Sequence, residues 1–432
     1  MTLQFREYQK DIAERAAYKI IEKGMVYLAM QVRTGKTLTA LLTCELLEKK
    51  SVLFITKKKA ISSVQYDYAL MTPAFSIEVI NYESLHKVEG NFDIVICDEH
   101  HRNGAFPKPN VSAVEIKKRW AHLPQIYLSG TPTPESFSQF YHQFWVSNFS
   151  PFADYKTFYK WAKDFVNITK KNFGYGDVSD YSQADEQKIN RFLEGYIIDF
   201  TQEEAGFKSK VTEKVIEVQM KPFTYAIAKD LATHGIYRGK TDTILADTAV
   251  KQQSKIQQVF SGTCIGESGN AIIFDLTKAE YIANNFPKKR LGIFYKFKAE
   301  LDALKQVLGY KLTTELDAFN MEGFQYIALQ IQAGREGISL RQADYLVYYN
   351  IDHSAVSYWQ SRDRLTTKER TENTVFWLFA KGGIESKIYN QVMKKKNYTL
   401  THFKNDFGTK NTKQNNQTIR EARLVRAENL QS

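Results

Sequence analysis

The sequence predicts an α/β protein with two lobes, each a mostly parallel sheet flanked by helices, and a helical, aromatic-rich segment between them. Short apolar runs alternate with helical patterns over residues 1–130, and a second alternation of this kind spans about residues 271–349. The aromatic-rich stretches SFSQFYHQFW and YKTFYKWAKDF lie between the two regions. A length of 432 residues agrees with this division, because a typical domain has roughly 150 residues.

The predicted elements follow this division in order. In the first lobe, strands are expected at 26–30, 52–56, 93–97 and 125–128, and a helix at 36–48. In the second lobe, strands are expected at 215–218, 271–274, 291–295, 326–330 and 345–349, and a helix at 298–308. We assign 1–145 to the first lobe, 146–215 to a helical accessory segment and the end of that lobe, 216–404 to the second lobe, and 405–432 to a polar C-terminal tail. Ligands of parallel sheets gather at the carboxyl ends of the strands, so chemistry is sought there.

Composition indicates a globular protein of a reducing compartment. Hydrophobic residues make up 43% of the chain and charged residues 25%, which is enough for sizeable cores. Cys44, Cys97 and Cys264 lack CxxC spacing, so neither a disulfide framework nor a zinc site is expected. No window approaches 18 uninterrupted apolar residues, which predicts a cytoplasmic protein without a membrane partner. The net charge of +11 favours an anionic partner such as nucleic acid.

A phosphate-binding loop is the strongest local signal. Thr34, Gly35, Lys36 and Thr37 stand between the first predicted strand and the helix that Lys36 begins. Backbone N–H groups at a helix N-terminus bind phosphate oxygens, the lysine reaches the β and γ phosphates, and the threonine hydroxyl ligates Mg²⁺. The full pattern GxxxxGK[ST] is broken, since Met30 occupies the first glycine position.

An acidic pair supplies the second signal. The apolar run at 92–97 ends in Asp98, Glu99, His100 and His101, which places two carboxylates at the carboxyl end of a predicted strand. Asp98 can hold Mg²⁺ through water while Glu99 polarises the attacking water, as ATP hydrolysis requires. Taken alone, the pair is also compatible with a solvated acidic turn. A third segment, 129–132, follows the next strand with the sequence SGTP.

In this order, the motifs resemble those of the superfamily-two helicases and translocases, in the Swi/Snf-like (DExH) branch and its compact form common in bacteriophages. The resemblance covers roughly residues 3–390 and rests on nine segments, 3–9, 31–37, 53–57, 81–85, 98–101, 129–132, 292–298, 332–340 and 358–364. It implies two RecA-like lobes with ATP in the cleft between them. Nucleic acid would cross both lobes and be held mainly through its phosphates.

The resemblance also implies roles for individual residues. Catalysis would depend on Lys36, Asp98, Glu99 and Arg364, and Mg²⁺ on Thr37 and Asp98. ATP would be bound by Gln9, Thr34, Gly35, Lys36, Thr37, Gly337, Gln360 and Arg364, with Gln9 pairing with the adenine edge. Nucleic acid would be contacted by Thr56, Lys57, Asn81, Tyr82, Ser129, Thr131, Gly334 and Arg335.

Two departures from the family pattern concern the ATP site. Arg33 occupies a position where helicases usually have a further glycine, which puts the detail of the phosphate contacts in question. In the last motif Gln360 and Arg364 match, but Thr367 stands where a second arginine is usual. Either Arg364 serves alone as the arginine finger, or a nearby cation substitutes; the candidates are Arg362, Lys368 and Arg370. We favour Arg364.

The sequence therefore predicts an ATP-dependent DNA helicase or translocase of replication, recombination or repair, acting as a monomer on duplex or branched DNA. Replication or recombination proteins are the expected protein partners. The alternatives are an RNA helicase and a helicase-like relic that binds nucleic acid without turning over ATP. The middle segment is open to two interpretations: an accessory DNA-contacting element, or a packing layer with an exposed lysine face, which we favour. Its lysines are Lys156, Lys160, Lys163, Lys170 and Lys171.

Overall fold

The fold consists of two compact units, Met1–Phe207 and Lys208–Ser432. The computed structural model describes residues 3–172, 177–207, 210–239, 242–321, 323–331, 340–354 and 372–394. Each unit contains a six-stranded sheet in which all neighbouring strands run parallel, with helices alongside. The predicted fold class is therefore confirmed.

Unit 1 combines helices and strands in βαβ order. Its described helices are α1 (Glu7–Lys23), α2 (Lys36–Leu46), α3 (Ile61–Met71), α4 (Val111–Trp120), α5 (Phe140–Trp145), α6 (Phe158–Phe165) and α7 (Glu186–Phe192). Its described strands are β1 (Met25–Met30), β2 (Ser51–Thr56), β3 (Ser76–Asn81), β4 (Ile94–Asp98), β5 (Gln125–Leu128), β6 (Thr169–Asn172), β7 (Asp177–Asp180) and β8 (Ile197–Phe200). Short 3₁₀ helices lie at Lys58–Ala60, Tyr82–Lys87, His100–Asn103 and Phe137–Gln139.

The main sheet of unit 1 has the order β3-β2-β4-β5-β1-β8 and is buried on both faces. One face packs on apolar side chains of α1 and α2, and the other on aromatic side chains of α4 to α6. Burial on both faces explains why the central strands are continuous apolar runs, as is usual for parallel sheets. All five strands β1 to β5 end at the same edge of the sheet, because they run parallel.

The middle segment forms a packing layer on this sheet. Helix α6 buries Phe158, Trp161 and Phe165 and exposes Lys160 and Lys163, as amphipathic spacing requires. This is the packing interpretation that we favoured, and a DNA contact by the exposed lysines stays a prediction. Strand β8 completes the sheet of unit 1, and the boundary between the two compact units lies after Phe207. The predicted domain boundaries stay a prediction.

Unit 2 is built in a similar way. Its described helices are α8 (Pro222–His234), α9 (Ala249–Phe260), α10 (Thr277–Asn285), α11 (Lys298–Leu308), α12 (Leu316–Asn320) and α13 (Glu385–Met393), with a 3₁₀ turn at Gly309–Lys311. Its described strands are β9 (Lys210–Val218), β10 (Ile236–Arg238), β11 (Thr243–Leu245), β12 (Thr263–Ile265), β13 (Ala271–Ile273), β14 (Leu291–Tyr295), β15 (Leu312–Thr313), β16 (Tyr326–Gln330), β17 (Tyr345–Tyr348) and β18 (Glu372–Ala380). The main sheet has the order β15-β16-β14-β17-β18-β9.

Two strands of unit 2 differ from the prediction. The strand expected at 271–274 is β13, which pairs antiparallel with β12 in a separate hairpin instead of joining the main sheet. The strand expected at 215–218 begins at Lys210 and pairs with β18 over its whole length. The three cysteines are buried and free. Among the described residues, none of the helices has the length and apolar character needed to cross a bilayer.

Candidate functional site

The loop between β1 and α2 contains two residues in the left-handed region of the backbone. Gly35 precedes the first residue of α2, Lys36, with a φ of 84°. Arg33 also has a positive φ, 66°, at the position where the family pattern has a glycine. A non-glycine residue in this region costs about 1–3 kcal/mol. The missing glycine therefore leaves the turn in place and adds backbone strain.

Side chains of unit 1 hold this loop in position. The Thr34 hydroxyl donates to the carbonyl oxygen of Gln31 at 2.7 Å. The side-chain amide of Gln202 donates to the Val32 carbonyl at 2.9 Å, and the backbone N–H of Gln202 donates to Gln31 Oε1 at 2.8 Å. Gln202 follows β8 and was not among the predicted site residues. Its contribution depends on β8 pairing with β1, which no local motif indicates.

Gln9 ties α1 to the loop. Its side chain is 3% exposed; Oε1 accepts the backbone N–H of Arg6 at 3.0 Å, and Nε2 donates to the carbonyl oxygen of Gly35 at 3.3 Å. The predicted pairing of Gln9 with adenine stays a prediction. It would have to use the amide hydrogen that does not point to Gly35.

The acidic pair lies at the same edge of the sheet, at the end of β4. Thr56 donates its hydroxyl to Asp98 Oδ2 at 2.8 Å, and Glu99 follows with a φ of 50°. Burial, joined by the charge of Glu99, raises the pKa of Asp98 to about 6, while Lys36 and the Thr56 hydrogen bond oppose this shift. Lys36 is thus near enough to Asp98 to favour its ionised form.

These residues fit ATP with Mg²⁺. Burial of the Asp98 carboxylate, joined by the charge of Glu99, disfavours its ionised form, and a bound divalent cation would stabilise that form. Within the described part of the chain, no side chain caps the N-terminus of α2, so its first N–H groups suit phosphate oxygens. Thr37 and Asp98 would hold Mg²⁺ with phosphate and water oxygens, as is usual for this ion. The ion would neutralise charge on the phosphates.

Two histidines connect the acidic pair to the rest of the sheet. His101 Nδ1 lies 2.9 Å from Ser129 Oγ and 3.3 Å from Glu99 Oε2. His100 stacks on Tyr127, with ring centroids 3.8 Å apart, and its Nε2 lies 2.7 Å from the carbonyl oxygen of Gln143. Burial lowers the pKa of His100 to about 3 and that of His101 to about 4, so both are neutral.

Comparisons with known proteins find structural similarity alone. No family model matches the sequence, and no curated protein matches it. Among solved structures, the Sulfolobus solfataricus SWI2/SNF2 ATPase core in complex with dsDNA has 13% identity and a TM-score of 0.41, over 97% of this chain and 95% of that chain. The Sulfolobus solfataricus SWI2/SNF2 ATPase core domain has 13% identity and a TM-score of 0.40, over 91% and 90%. The function proposed for this chain therefore rests on its own site residues.

The predicted nucleic-acid residues of unit 1 divide into buried and accessible ones. The side chains of Thr56, Tyr82 and Ser129 are buried. Asn81 is nearly buried and donates its amide to Glu83 at 2.9 Å. Lys57 is partly exposed, and the Thr131 hydroxyl is buried without a hydrogen-bond partner among the described residues.

The predicted site residues of the second unit lie outside the described residues. They are Gly334, Arg335, Gly337, Gln360 and Arg364, together with the alternatives Arg362, Lys368 and Arg370 and the departure at Thr367.

The described part of unit 2 contains a polar network that the sequence did not indicate. Gln257 Oε1 accepts from Lys296 Nζ and lies near His353 Nε2, each at 2.7 Å, and Asp352 Oδ1 lies 4.0 Å from Lys296 Nζ. Gln253 donates to the other ring nitrogen of His353, at 3.1 Å, so Nε2 carries the proton. Burial lowers the pKa of Lys296 to about 8. The network lies where β14 and β17 end, at the carboxyl edge of the second sheet.

Proposed function

We propose that this chain is a nucleic-acid-stimulated ATPase that couples ATP hydrolysis to movement on duplex or branched DNA. The observation that carries the proposal is the placement of Lys36, Asp98 and Glu99 at the carboxyl edge of one parallel sheet. Phosphoryl transfer to water needs phosphate-binding donors, a cation site and a carboxylate that orients the water. The α2 N-terminus and Lys36 would supply the first, Thr37 and Asp98 the second, and Glu99 the third.

Basic residues beside this site support a nucleic-acid partner. Lys57, Lys58 and Lys59 directly follow β2, and Lys58 and Lys59 are exposed. The whole chain carries a net charge of +11. Phosphate contacts of this kind give binding that is largely independent of sequence and weakens with salt.

The finer parts of the proposal come from the motifs. We propose helicase or translocase activity in replication, recombination or repair, by a monomer that uses Arg364 as its arginine finger. We further propose a bacteriophage origin, with the bacterial cytoplasm as the location. The sequence SGTP at 129–132 resembles the Swi/Snf-like form of this motif, which favours duplex or branched DNA over RNA.

Steady-state ATP hydrolysis tests the proposal. The purified protein is assayed alone and with matched single-stranded, duplex and four-way-branched DNA and with RNA, at one salt concentration. We expect the largest stimulation with duplex or branched DNA. Larger stimulation by RNA would favour an RNA helicase, and nucleic-acid binding without turnover would favour the relic.

Two variants test the residue assignments. Lys36→Ala is expected to lose nucleotide binding or turnover, because the phosphates lose their cation. Glu99→Gln is expected to bind ATP but hardly hydrolyse it, because an amide cannot accept the proton of the attacking water. The exposed residues Lys118 and Glu89 provide the matched controls Lys118→Ala and Glu89→Gln. Normal turnover in both site variants would refute the proposal.

A further inference from the structure

Thr56 and Tyr82 were predicted as nucleic-acid contacts, but their side chains face the interior of unit 1. Thr56 is the last residue of β2 and is fully buried, and Tyr82 directly follows β3 with 4% exposure. A side chain without accessible surface cannot contact a phosphate or stack on a base. Both residues must act through groups inside the protein.

Both hydroxyls donate to the same residue. Thr56 Oγ1 donates to the carboxylate oxygen Oδ2 of Asp98 at 2.8 Å, and Tyr82 OH donates to the backbone carbonyl oxygen of Asp98 at 2.6 Å. Strand order explains this convergence. The three strands lie side by side as β3-β2-β4, with Thr56 opposite Asn81, so Thr56 adjoins Asp98 directly while the longer Tyr82 side chain reaches across β2.

Accessible basic side chains follow each buried hydroxyl along the chain. Lys58 and Lys59 lie in the 3₁₀ helix Lys58–Ala60, directly after β2. His86 and Lys87 are exposed at the end of the 3₁₀ helix that Tyr82 begins. Each segment therefore carries basic side chains at the surface and, where it begins, a buried hydroxyl that donates to Asp98.

The Tyr82 ring is also held by the segment that follows Asp98. The Arg102 guanidinium lies 4.5 Å from the centroid of the Tyr82 ring and pairs with Glu83 at 2.8 Å. A shift of the 3₁₀ helix at 82–87 would therefore move contacts on both sides of the acidic pair.

We infer that Thr56 and Tyr82 are positioning residues, not nucleic-acid contacts: they transmit the binding of a nucleic-acid backbone on the loops after β2 and β3 to Asp98. The inference rests on the proposed function and assigns within it the residues that couple nucleic acid to hydrolysis. A phosphate backbone that orders the loops fixes the two hydroxyls, and the hydroxyls fix the main chain and carboxylate of Asp98. Positioning of this kind changes turnover without changing nucleic-acid affinity.

The test uses substitutions that remove one hydroxyl and keep the shape of the side chain, Thr56→Val and Tyr82→Phe. For each variant of the full chain, the affinity for fluorescent duplex DNA is measured by anisotropy, and ATP turnover is measured at saturating DNA. Thr43→Val and Tyr68→Phe are matched controls, because these hydroxyls donate to the backbone oxygens of Thr39 and Phe75, away from the acidic pair. Thr56→Ser restores a hydroxyl and tests rescue.

We expect both variants to bind DNA within about twofold of the wild type and to lose turnover at saturating DNA. The loss should be about two- to tenfold for Tyr82→Phe, whose acceptor is neutral, and about tenfold to a hundredfold for Thr56→Val, whose acceptor is a carboxylate. Thr56→Ser should recover most of the turnover. Melting temperatures of all variants show whether each one is folded; if one is not, the other variant still gives the comparison.

Three results would overturn the inference. Weaker DNA binding with normal turnover at saturation would make the two residues contacts, as the sequence first indicated. Unchanged binding and turnover would leave them without a role in coupling. Equal losses in Thr43→Val and Tyr68→Phe would show a general effect of removing hydroxyls. The wild type separates the two proposals: without nucleic-acid-stimulated turnover the proposed function itself fails, before any variant is compared.

Discussion

Acidification should destabilise unit 1 through His100, which directly follows the acidic pair. The residue is fully buried, its ring stacks on Tyr127, and burial lowers its pKa from 6.5 to about 3. Below pH 6.5 the unfolded chain takes up a proton that the folded protein excludes, so the free energy of unfolding falls as the pH falls. The loss is about 1.4 kcal/mol per pH unit below that pKa and amounts to about 2 kcal/mol between pH 7 and pH 5. It levels off only near the folded pKa.

Urea denaturation at pH 7 and pH 5 measures this contribution in the wild type and in His100→Gln. The glutamine amide can donate to the Gln143 carbonyl, as Nε2 does, and accept from the Asn103 amide, as Nδ1 does. We expect the acid-induced loss of stability to be smaller in the variant by about 2 kcal/mol, whatever its stability at pH 7. His122→Gln, which changes an exposed histidine of the same unit, should keep the wild-type pH dependence. An equal acid-induced loss in the wild type and His100→Gln would refute the reasoning, because the histidine would then be protonated in the folded protein.

Two further predictions concern the buried charge of unit 2 and the phosphate loop. Lys278→Met should destabilise unit 2 by about 3–5 kcal/mol, because it leaves Glu385 buried without the ammonium that lies 2.7 Å away. Adding Glu385→Leu should recover most of this loss in urea denaturation, and a double variant no better than the single one would contradict the ion-pair explanation. Gly35→Ala should weaken ATP binding in a fluorescent-nucleotide assay, because the residue has a φ of 84° and its new Cβ would lie 2.3 Å from Gln9 Nε2. Unchanged ATP affinity would show that the loop does not need this backbone conformation.

The central strands could be predicted from the sequence because burial on both faces makes them apolar throughout. Gln125–Leu128 and Leu291–Tyr295 have the expected bounds. Edge strands gave a weaker signal. Strand β9, at an edge of the unit 2 sheet, exposes residues along most of its length, so only its apolar end at 215–218 was predicted. Strand β3, at an edge of the unit 1 sheet, is half-buried and was not predicted. A solvent-facing strand has no continuous apolar run to find.

The contacts between side chains in the candidate site could also be predicted only in part. The placement of Lys36, Asp98 and Glu99 at one edge of the sheet could be predicted, because each stands at or soon after the end of an apolar strand. The role of Tyr82 depends on the order β3-β2-β4, which brings its hydroxyl to Asp98 across an intervening strand. Strand order depends on the packing of the whole unit, so it cannot be inferred from the five residues 81–85.

Arg33 in place of the expected glycine changes the backbone energy of the loop between β1 and α2 but not its conformation. The sequence has arginine at position 33, and the backbone there still turns with a φ of 66°. Glu99, in the acidic pair, has a φ of 50°, so non-glycine residues occupy the left-handed region on both sides of the site. Each costs about 1–3 kcal/mol and persists only because surrounding contacts impose the conformation. For the loop these contacts include the Gln202 hydrogen bonds, and for Glu99 the His101 ring at 3.3 Å. Positive φ also occurs at Glu48, Thr72 and Lys288, outside the site, so this strain is not confined to it. At Arg33 and Glu99 it sets the direction of the loop before α2 and of the carboxylate proposed to orient water.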